Sequence, residues 1–386
     1  MDAADDRKAR FMAASYGFLS THPPTQCGLA TFNSALAAHL TGDRVRGGIV
    51  RVIAGADDQR PGPGVVHTWP TRSVAGWRGA ASALDDFDVA VVQHEYGIYP
   101  GPDGQEVLPL LRRLTVPSIV VLHTVLTSPT SRQKELLEQI VDAAGAVVTM
   151  TETARDRLLV GYTVDAAKVA IIPHGSADHI RAPITSRQQP HLLTWGLLGP
   201  GKGIEWALRA LAQLQDLVPN PTYTVAGRTH PKVLERHGEA YRSGLYQLGA
   251  QLGVSTAVRY DPVYRDEASL GSLIRSADVV VLPYDSREQV TSGVLIEAVA
   301  AGIPVVATRF PHAVELLGGG PGLLVPHQNP RALAVAVRRV LTEPGLAAKL
   351  VRRTRTPTLT WTAVAQRYDA LADQLLSGRP AAVAAA

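Results

Sequence analysis

A helix that opens on Ser292-Gly293-Val294 and carries Glu297 on its second turn is the stretch of this sequence best placed to do chemistry. The run before it, Val279–Leu282, is short and wholly apolar, the pattern of a strand buried on both faces, and Pro283 ends it. Leu295 and Val299 lie four apart on the helix, Gly302 and Pro304 stop it, and Val305–Thr308 reads as the next strand. In an open parallel sheet ligands sit at the carboxyl ends of strands, and the amides and positive dipole end of the following helix favour an anion. Ser292, Gly293 and Val294 are therefore placed to hold a phosphate. At ~1.5 Å of rise per residue, Glu297 stands ~7 Å below the first of those amides. That is close to the separation of a diphosphate from its ribose, so this carboxylate could accept both ribose hydroxyls. The plain alternative is a solvated glutamate on a surface helix.

A second constellation is the loop GLLGPGKG, Gly196–Gly203, between an apolar run and a helix. Its glycines, Gly201 among them, let backbone approach a ligand, and Lys202 puts a cation where a phosphate would be held. The spacing is not that of a P-loop. A lysine at a helix start opposes the helix dipole, a small penalty that favours a functional reason for it. Arg228, at the end of the following strand, is the next cation in line.

Histidines supply the third kind of chemistry. Val89–Val92 leads into Gln93-His94-Glu95, and Ser118–Leu122 leads into His123. Both histidines then stand at carboxyl ends of strands in one sheet and are expected to project into one crevice. None of the histidine spacings is that of a metal site. Asp86-Phe87-Asp88 resembles a metal-holding pair but precedes its strand, and is read as surface charge. Cys27, beside Gly28 in the Pro- and Gly-punctuated loop after the first strand, is read as a small buried hydrophobe. That loop lacks the G-x-G-x-x-G of a dinucleotide site, which argues against a dehydrogenase.

These residues need a scaffold, and the sequence supplies two. Strands and helices alternate from Ala13–Ser20, with a helix at Thr31–Leu40, to Val169–Pro173; a Pro-, Ser- and Gln-rich linker, Ala182–Pro190, follows, and the alternation restarts at Leu192–Gly196. Two serial α/β halves predict two Rossmann-like doubly wound domains facing across a cleft, at 1–186 and 187–359, with a last helix over 360–377. A length of 386 residues suits two such cores, and 46% hydrophobic with 19% charged residues excludes a disordered chain. The net charge of +4 comes from basic residues scattered singly, which excludes a nucleic-acid run and suits a small anionic ligand or an acidic membrane surface. The single cysteine leaves no disulfide framework and points to a reducing compartment. No apolar run approaches the ~18 residues of a membrane span. With Met1–Arg10 too charged for a signal peptide, the expected location is cytoplasmic, with peripheral membrane contact left open. Gly378–Ala386 is expected to fray.

The motifs STHPPTQCGLATF, VQHEYGI, LHTV, IIPHG, LLGPGKGIEWAL, TSGVLIEAVAAGIPVVAT with FPHAVELL, and TWTAVAQRY together resemble retaining glycosyltransferases of family 4, the glycosyl transferase group 1 enzymes, in a subgroup with GPGKG and TSGVL wording. The resemblance implies the GT-B fold, with the closing helix crossing back to the first domain. It implies transfer of a hexosyl group from a nucleotide-diphosphate sugar (a GDP- or UDP-hexose) to an acceptor hydroxyl on a saccharide, a lipid-linked sugar or a small molecule. Retention at the anomeric carbon, no metal and no prosthetic group are part of that expectation. On this reading Lys202, Gly201, Ser292, Gly293, Val294 and Glu297 bind the donor, together with Gly28, Gly227, Arg228 and, near the base, Val263. His123, Lys202 and Gln289 are the catalytic candidates, and Gln93, His94 and Glu95 face the acceptor. The chain departs from the broad family pattern at Leu197, where Arg is usual, and at Gln289, where Glu is usual. Those two positions motivate the alternatives: a non-catalytic nucleotide-sugar-binding protein, or a GT-B sugar epimerase.

Overall fold

Short apolar runs separated by helices can join one sheet only through crossovers, and all the strands here pair in parallel. The structure is a computed structural model that describes residues 14–42, 45–54, 62–179, 188–352 and 359–378. It forms two compact units, Met1–Pro173 with Trp361–Ala386, and His174–Thr360.

The first unit holds β1 (Tyr16–Ser20), β2 (Gly47–Ile53), β3 (Val65–Pro70), β4 (Val89–His94), β5 (Ser118–Leu122), β6 (Ala146–Thr149) and β7 (Val169–Ile171), in the order β3-β2-β1-β4-β5-β6-β7. One face of this sheet, through Phe18, Val91 and Val121, is buried with Phe32 and Leu36 of the helix Gly28–Thr41 and with Val364, Tyr368 and Leu371 of the closing helix Trp361–Leu376. Tyr16 ties that helix down, its hydroxyl donating to Asp369 Oδ1 at 2.5 Å. The first helix begins at Gly28, earlier than the expected Thr31, because Cys27 caps it: Sγ accepts from the Ala30 amide at 3.4 Å. Half-buried and bonded also to Thr21 Oγ1 at 3.2 Å, Cys27 is a capping group and not the core hydrophobe expected.

Asp88 of the Asp-x-Asp accepts from Ser15 N at 2.8 Å and Ser15 Oγ at 2.6 Å, bonds that hold its carboxyl below the usual range. Its charge anchors the start of the sheet. Among the described residues, no cluster of three His, Cys, Asp or Glu could hold a metal.

The second unit holds β8 (His191–Trp195), β9 (Thr222–Ala226), β10 (Val258–Asp261), β11 (Val279–Leu282), β12 (Val305–Thr308) and β13 (Gly322–Val325), in the order β10-β9-β8-β11-β12-β13. Val279 and Val281 enter one core with Leu208 and Val337, while Val280 and Leu282 enter another with Leu295 and Val299. Both faces are thus covered, which is why β11 reads as an unbroken apolar run.

The units divide at Pro173/His174, upstream of the boundary at 186 expected from composition. The backbone after β7 is already stitched into the second unit, Ser176 N donating to Leu359 O at 2.7 Å beside a bridge between Ser176 and Thr360. Residues 182–187 of the expected linker, Met1–Arg10 and residues 379–386 of the expected tail lie outside the described residues. In each sheet the strand order reverses once, between β1 and β4 and between β8 and β11. Those are the two switch points at which doubly wound sheets bind ligands.

Candidate functional site

In the second unit the loops leaving β8 and β11 are pinned together by backbone. Gly203 sits at φ +64°, and a Cβ on it would lie 1.8 Å from the Pro283 carbonyl oxygen, so only glycine fits. The Asp285 amide donates to Gly201 O, and Trp206 Nε1 donates to Asp285 Oδ1, both at 2.9 Å. The GPGKG loop is thereby held against the strand end, and the Lys202 ammonium lies 4.3 Å from the centre of the Tyr284 ring, a cation–π contact. Burial lowers its pKa to about 8. Among the described residues no carboxylate pairs with Lys202, so its charge is open to an anion.

Ser292 lies beside the Tyr284 hydroxyl, offsetting part of the rise that burial causes in the tyrosine pKa. It caps the helix Gly293–Ala300 through Oγ, which accepts from the Leu295 amide at 3.2 Å. The Ser292 amide itself is not presented to a ligand: it donates to His312 Nδ1 at 2.8 Å. That corrects the expectation of three phosphate-binding amides. A donor-only group already bonded in the interior cannot also serve a phosphate without leaving the ring unpaired. The next two amides, of Gly293 and Val294, have no acceptor among the described residues.

Glu297 is half-buried on the same helix, not a solvated surface residue. Its Oε2 accepts from Trp195 Nε1, at the end of β8, at 3.3 Å. Burial raises its pKa to about 7; the Trp195 bond opposes that rise and Glu267 adds to it. A carboxylate and a cation thus stand at the switch point of this sheet, with two open amides on the carboxylate's helix.

The other donor-side candidates divide. Gly227, at φ +119°, is glycine because a Cβ would lie 1.9 Å from the Gly196 carbonyl oxygen; its own amide donates to Asp261 O at 2.7 Å. Loop packing therefore accounts for it without a ligand. Gly28 and Gly201 have open space where a Cβ would stand. Arg228 and Val263 are exposed, just past the ends of β9 and β10. Gln289 is half-buried, and its Nε2 donates to Thr291 O at 3.1 Å within its own loop.

In the first unit, strand alternation separates residues that the sequence seemed to place together. Gln93 pairs with Val121 and shares its face; His94 pairs with Leu122 on the opposite face. His123, one residue past β5, returns to the Gln93 side: its Nε2 lies 2.8 Å from Gln93 Oε1, and its ring meets Phe32 edge-on at 4.9 Å. His94 is buried against Tyr96, with its pKa lowered by burial to about 4. The expectation that His94 and His123 project into one crevice is therefore wrong, by the period of two that governs any strand. Glu95 accepts from the Tyr96 amide at 3.0 Å and from Thr124 Oγ1 at 2.5 Å, which shapes the strand end.

Four residues of these sites had drawn no reading of their own: Trp195, Tyr284, His312 and Arg242, whose Nη2 supports the Gly227 carbonyl at 2.8 Å. Each acts through a partner distant in sequence, and no local spacing marks it. His312 alone had a signal, its place in FPHAVELL.

Known proteins match along most of the chain. The family model "Glycosyltransferase Family 4" covers residues 28–176, and "Glycosyl transferases group 1" covers residues 189–343. The D-inositol 3-phosphate glycosyltransferase of Streptomyces bingchenggensis is 32% identical over 230 residues, 55% of this chain and 49% of that protein. The chain spans about half the length of such curated relatives. Among solved structures, HepE of Anabaena in complex with UDP and glucose superposes with a TM-score of 0.72 at 17% identity, covering 94% of this chain and 100% of that one. Sucrose-phosphate synthase of Thermosynechococcus elongatus superposes with a TM-score of 0.72 at 20% identity, covering 95% and 100%. Two parallel-sheet units of seven and six strands, matched in turn by the two family models, show that the chain has the GT-B fold and belongs to glycosyltransferase family 4.

Proposed function

We propose that the chain is a glycosyltransferase that binds a nucleotide-diphosphate hexose in its second unit and transfers the hexosyl group to an acceptor hydroxyl with retention. The observation that carries this reading is Lys202: a cation without a carboxylate partner among the described residues, held over Tyr284 beside Ser292, at the start of the helix that bears Glu297. Lys202 and the Gly293 and Val294 amides meet the diphosphate, and on this reading they offset its charge without a divalent ion. Glu297 accepts from the ribose hydroxyls, and the backbone near Gly227, Arg228 and Val263 faces the base.

As the glycosidic bond breaks, negative charge grows on the departing diphosphate. A cation fixed in a water-poor site stabilises that state more than the bound donor, and so lowers the barrier. Among the described residues around Lys202 and Glu297, no side chain is an obvious nucleophile, which suits a front-face displacement assisted by the leaving group. In the first unit His123, held by Gln93, is the catalytic candidate, and Glu95 accepts from Thr124 Oγ1 and the Tyr96 amide at the same strand end.

HepE, similar in fold, was solved with UDP and glucose, which makes UDP the first nucleotide to try. A thermal-shift screen with UDP, GDP and ADP tests the reading. UDP or GDP should stabilise the chain by ~2.7 kcal/mol at 100 times its dissociation constant. The effect should weaken in Glu297→Ala. Indifference to all three nucleotides would contradict the proposal.

A further inference from the structure

His312 lies in the second unit on the helix Pro311–Leu317, outside the residues expected to touch a ligand, and it makes two bonds to the loop that enters the helix Gly293–Ala300. Its backbone amide donates to Gln289 O at 3.3 Å, and its ring nitrogen Nδ1 sits 2.8 Å from the Ser292 amide nitrogen. A backbone amide can only donate, so Nδ1 must be the acceptor. His312 is therefore a neutral imidazole with its proton on Nε2. Burial, with 4% of its surface exposed, and the neighbouring His174 hold it in that form far below neutral pH.

The consequence lies one residue further on. With Ser292 N engaged, Ser292 stays extended, at φ −139° and ψ 106°, and its Oγ is turned onto the Leu295 amide. The Gly293 and Val294 amides are left over, side by side at the positive end of the helix. A second histidine closes the other flank. His174 Nδ1 lies 2.6 Å from Gly175 O and so carries the proton, and a Cβ on Gly293 would stand 2.8 Å from His174 Nε2. Position 293 must be small for this packing, and a small residue also lets a ligand reach the backbone.

We propose that His312 is a positioning residue for the donor's diphosphate: it takes the Ser292 amide so that the Gly293 and Val294 amides alone are aimed at phosphate. This rests on the donor-site reading above. Asparagine can offer Oδ1 close to the place of Nδ1, whereas phenylalanine keeps the bulk and removes the acceptor.

Calorimetry with UDP, GDP and the corresponding nucleosides on the full chain, parent, His312→Asn and His312→Phe, provides the test. His312→Phe should weaken the diphosphate by roughly 10- to 100-fold, the range for leaving a buried amide unpaired, and leave the nucleoside within about threefold. His312→Asn should restore most of the difference. Equal binding by His312→Phe and the parent, or equal losses for nucleoside and diphosphate, would overturn the role of His312 alone. A parent that binds neither UDP nor GDP would overturn the donor site and this inference with it. If His312→Phe does not fold, ¹⁵N spectra of the parent decide instead. Nucleotide should shift the Gly293 and Val294 amides strongly and Ser292 little, with His312 protonated on Nε2; a Ser292 amide that responds as strongly overturns the proposal.

Discussion

Burial moves the two charged groups of the proposed donor site toward each other on the pH scale. Glu297 is raised to about 7 because its carboxylate is half-withdrawn from water, and Lys202 is lowered to about 8 for the same reason. On the proposed assignment Glu297 offers ribose two charged acceptor oxygens only when ionised, so donor capture should fall as pH drops through about 7. Lys202 is a cation only when protonated, so capture should fall again as pH rises through about 8. The expected kcat/KM profile for the donor is thus a narrow bell, since that parameter reports the free protein. Glu297→Gln should remove the acid limb at a cost of ~1.5–3 kcal/mol in nucleotide affinity. Lys202→Arg should remove the alkaline limb. A flat profile from pH 6 to 9 in the parent would contradict both assignments. At this scale the sequence was partly legible. Lys202 and Glu297 announce themselves because a charged side chain at a strand end or on a helix is conspicuous in type and spacing. Trp195 does not, because its bond to Glu297 spans 102 positions and depends on how β8 meets the helix.

Elements decide which residues can act together, and they do so through backbone geometry. The helix Gly293–Ala300 and its cap follow from local signals, a serine before glycine with glycine and proline beyond the end, and these are strong enough to read directly. The parity of β4 and β5 is also written locally, since the alternation of a strand fixes each side chain's face. Yet the register between the strands, with Gln93 opposite Val121, is a tertiary property, and missing it put His94 beside His123. The cap on the helix Gly28–Thr41 was missed because a thiol seldom serves there. Glycines of one loop should likewise separate by context. Gly203→Ala drives a Cβ against the Pro283 carbonyl and should cost about 3–5 kcal/mol, whereas Gly201→Ala meets nothing and should cost only the ~1–2 kcal/mol of a positive φ. Denaturant unfolding of both variants checks this, and equal losses would mean that the GPGKG loop is not pinned as described.

At the scale of the whole molecule, the alternation of strand and helix was enough to give two doubly wound parallel sheets, because a crossover of this length admits one handedness and one pairing mode. The division between the units was less legible. Composition marks a Pro-rich linker, but backbone pairing of Ser176 with residues 359 and 360 shifts the boundary back to Pro173. Function divides in the same way. The fold and the proposed donor-side chemistry are carried by backbone and charge, while base, hexose and acceptor depend on shapes that single residues do not spell. Turnover by the chain is the central expectation. Incubation with labelled UDP- and GDP-hexoses and a range of hydroxyl acceptors, following nucleotide release and the anomeric configuration of the product, measures this most directly. The expected result is sustained release far beyond one equivalent, with α-linked product from an α-linked donor. Lys202→Ala should slow release by roughly 10²–10³-fold, ~3–4 kcal/mol, with little change in melting temperature. Binding of a nucleotide sugar without sustained release, or release by Lys202→Ala within about threefold of the parent, would contradict it.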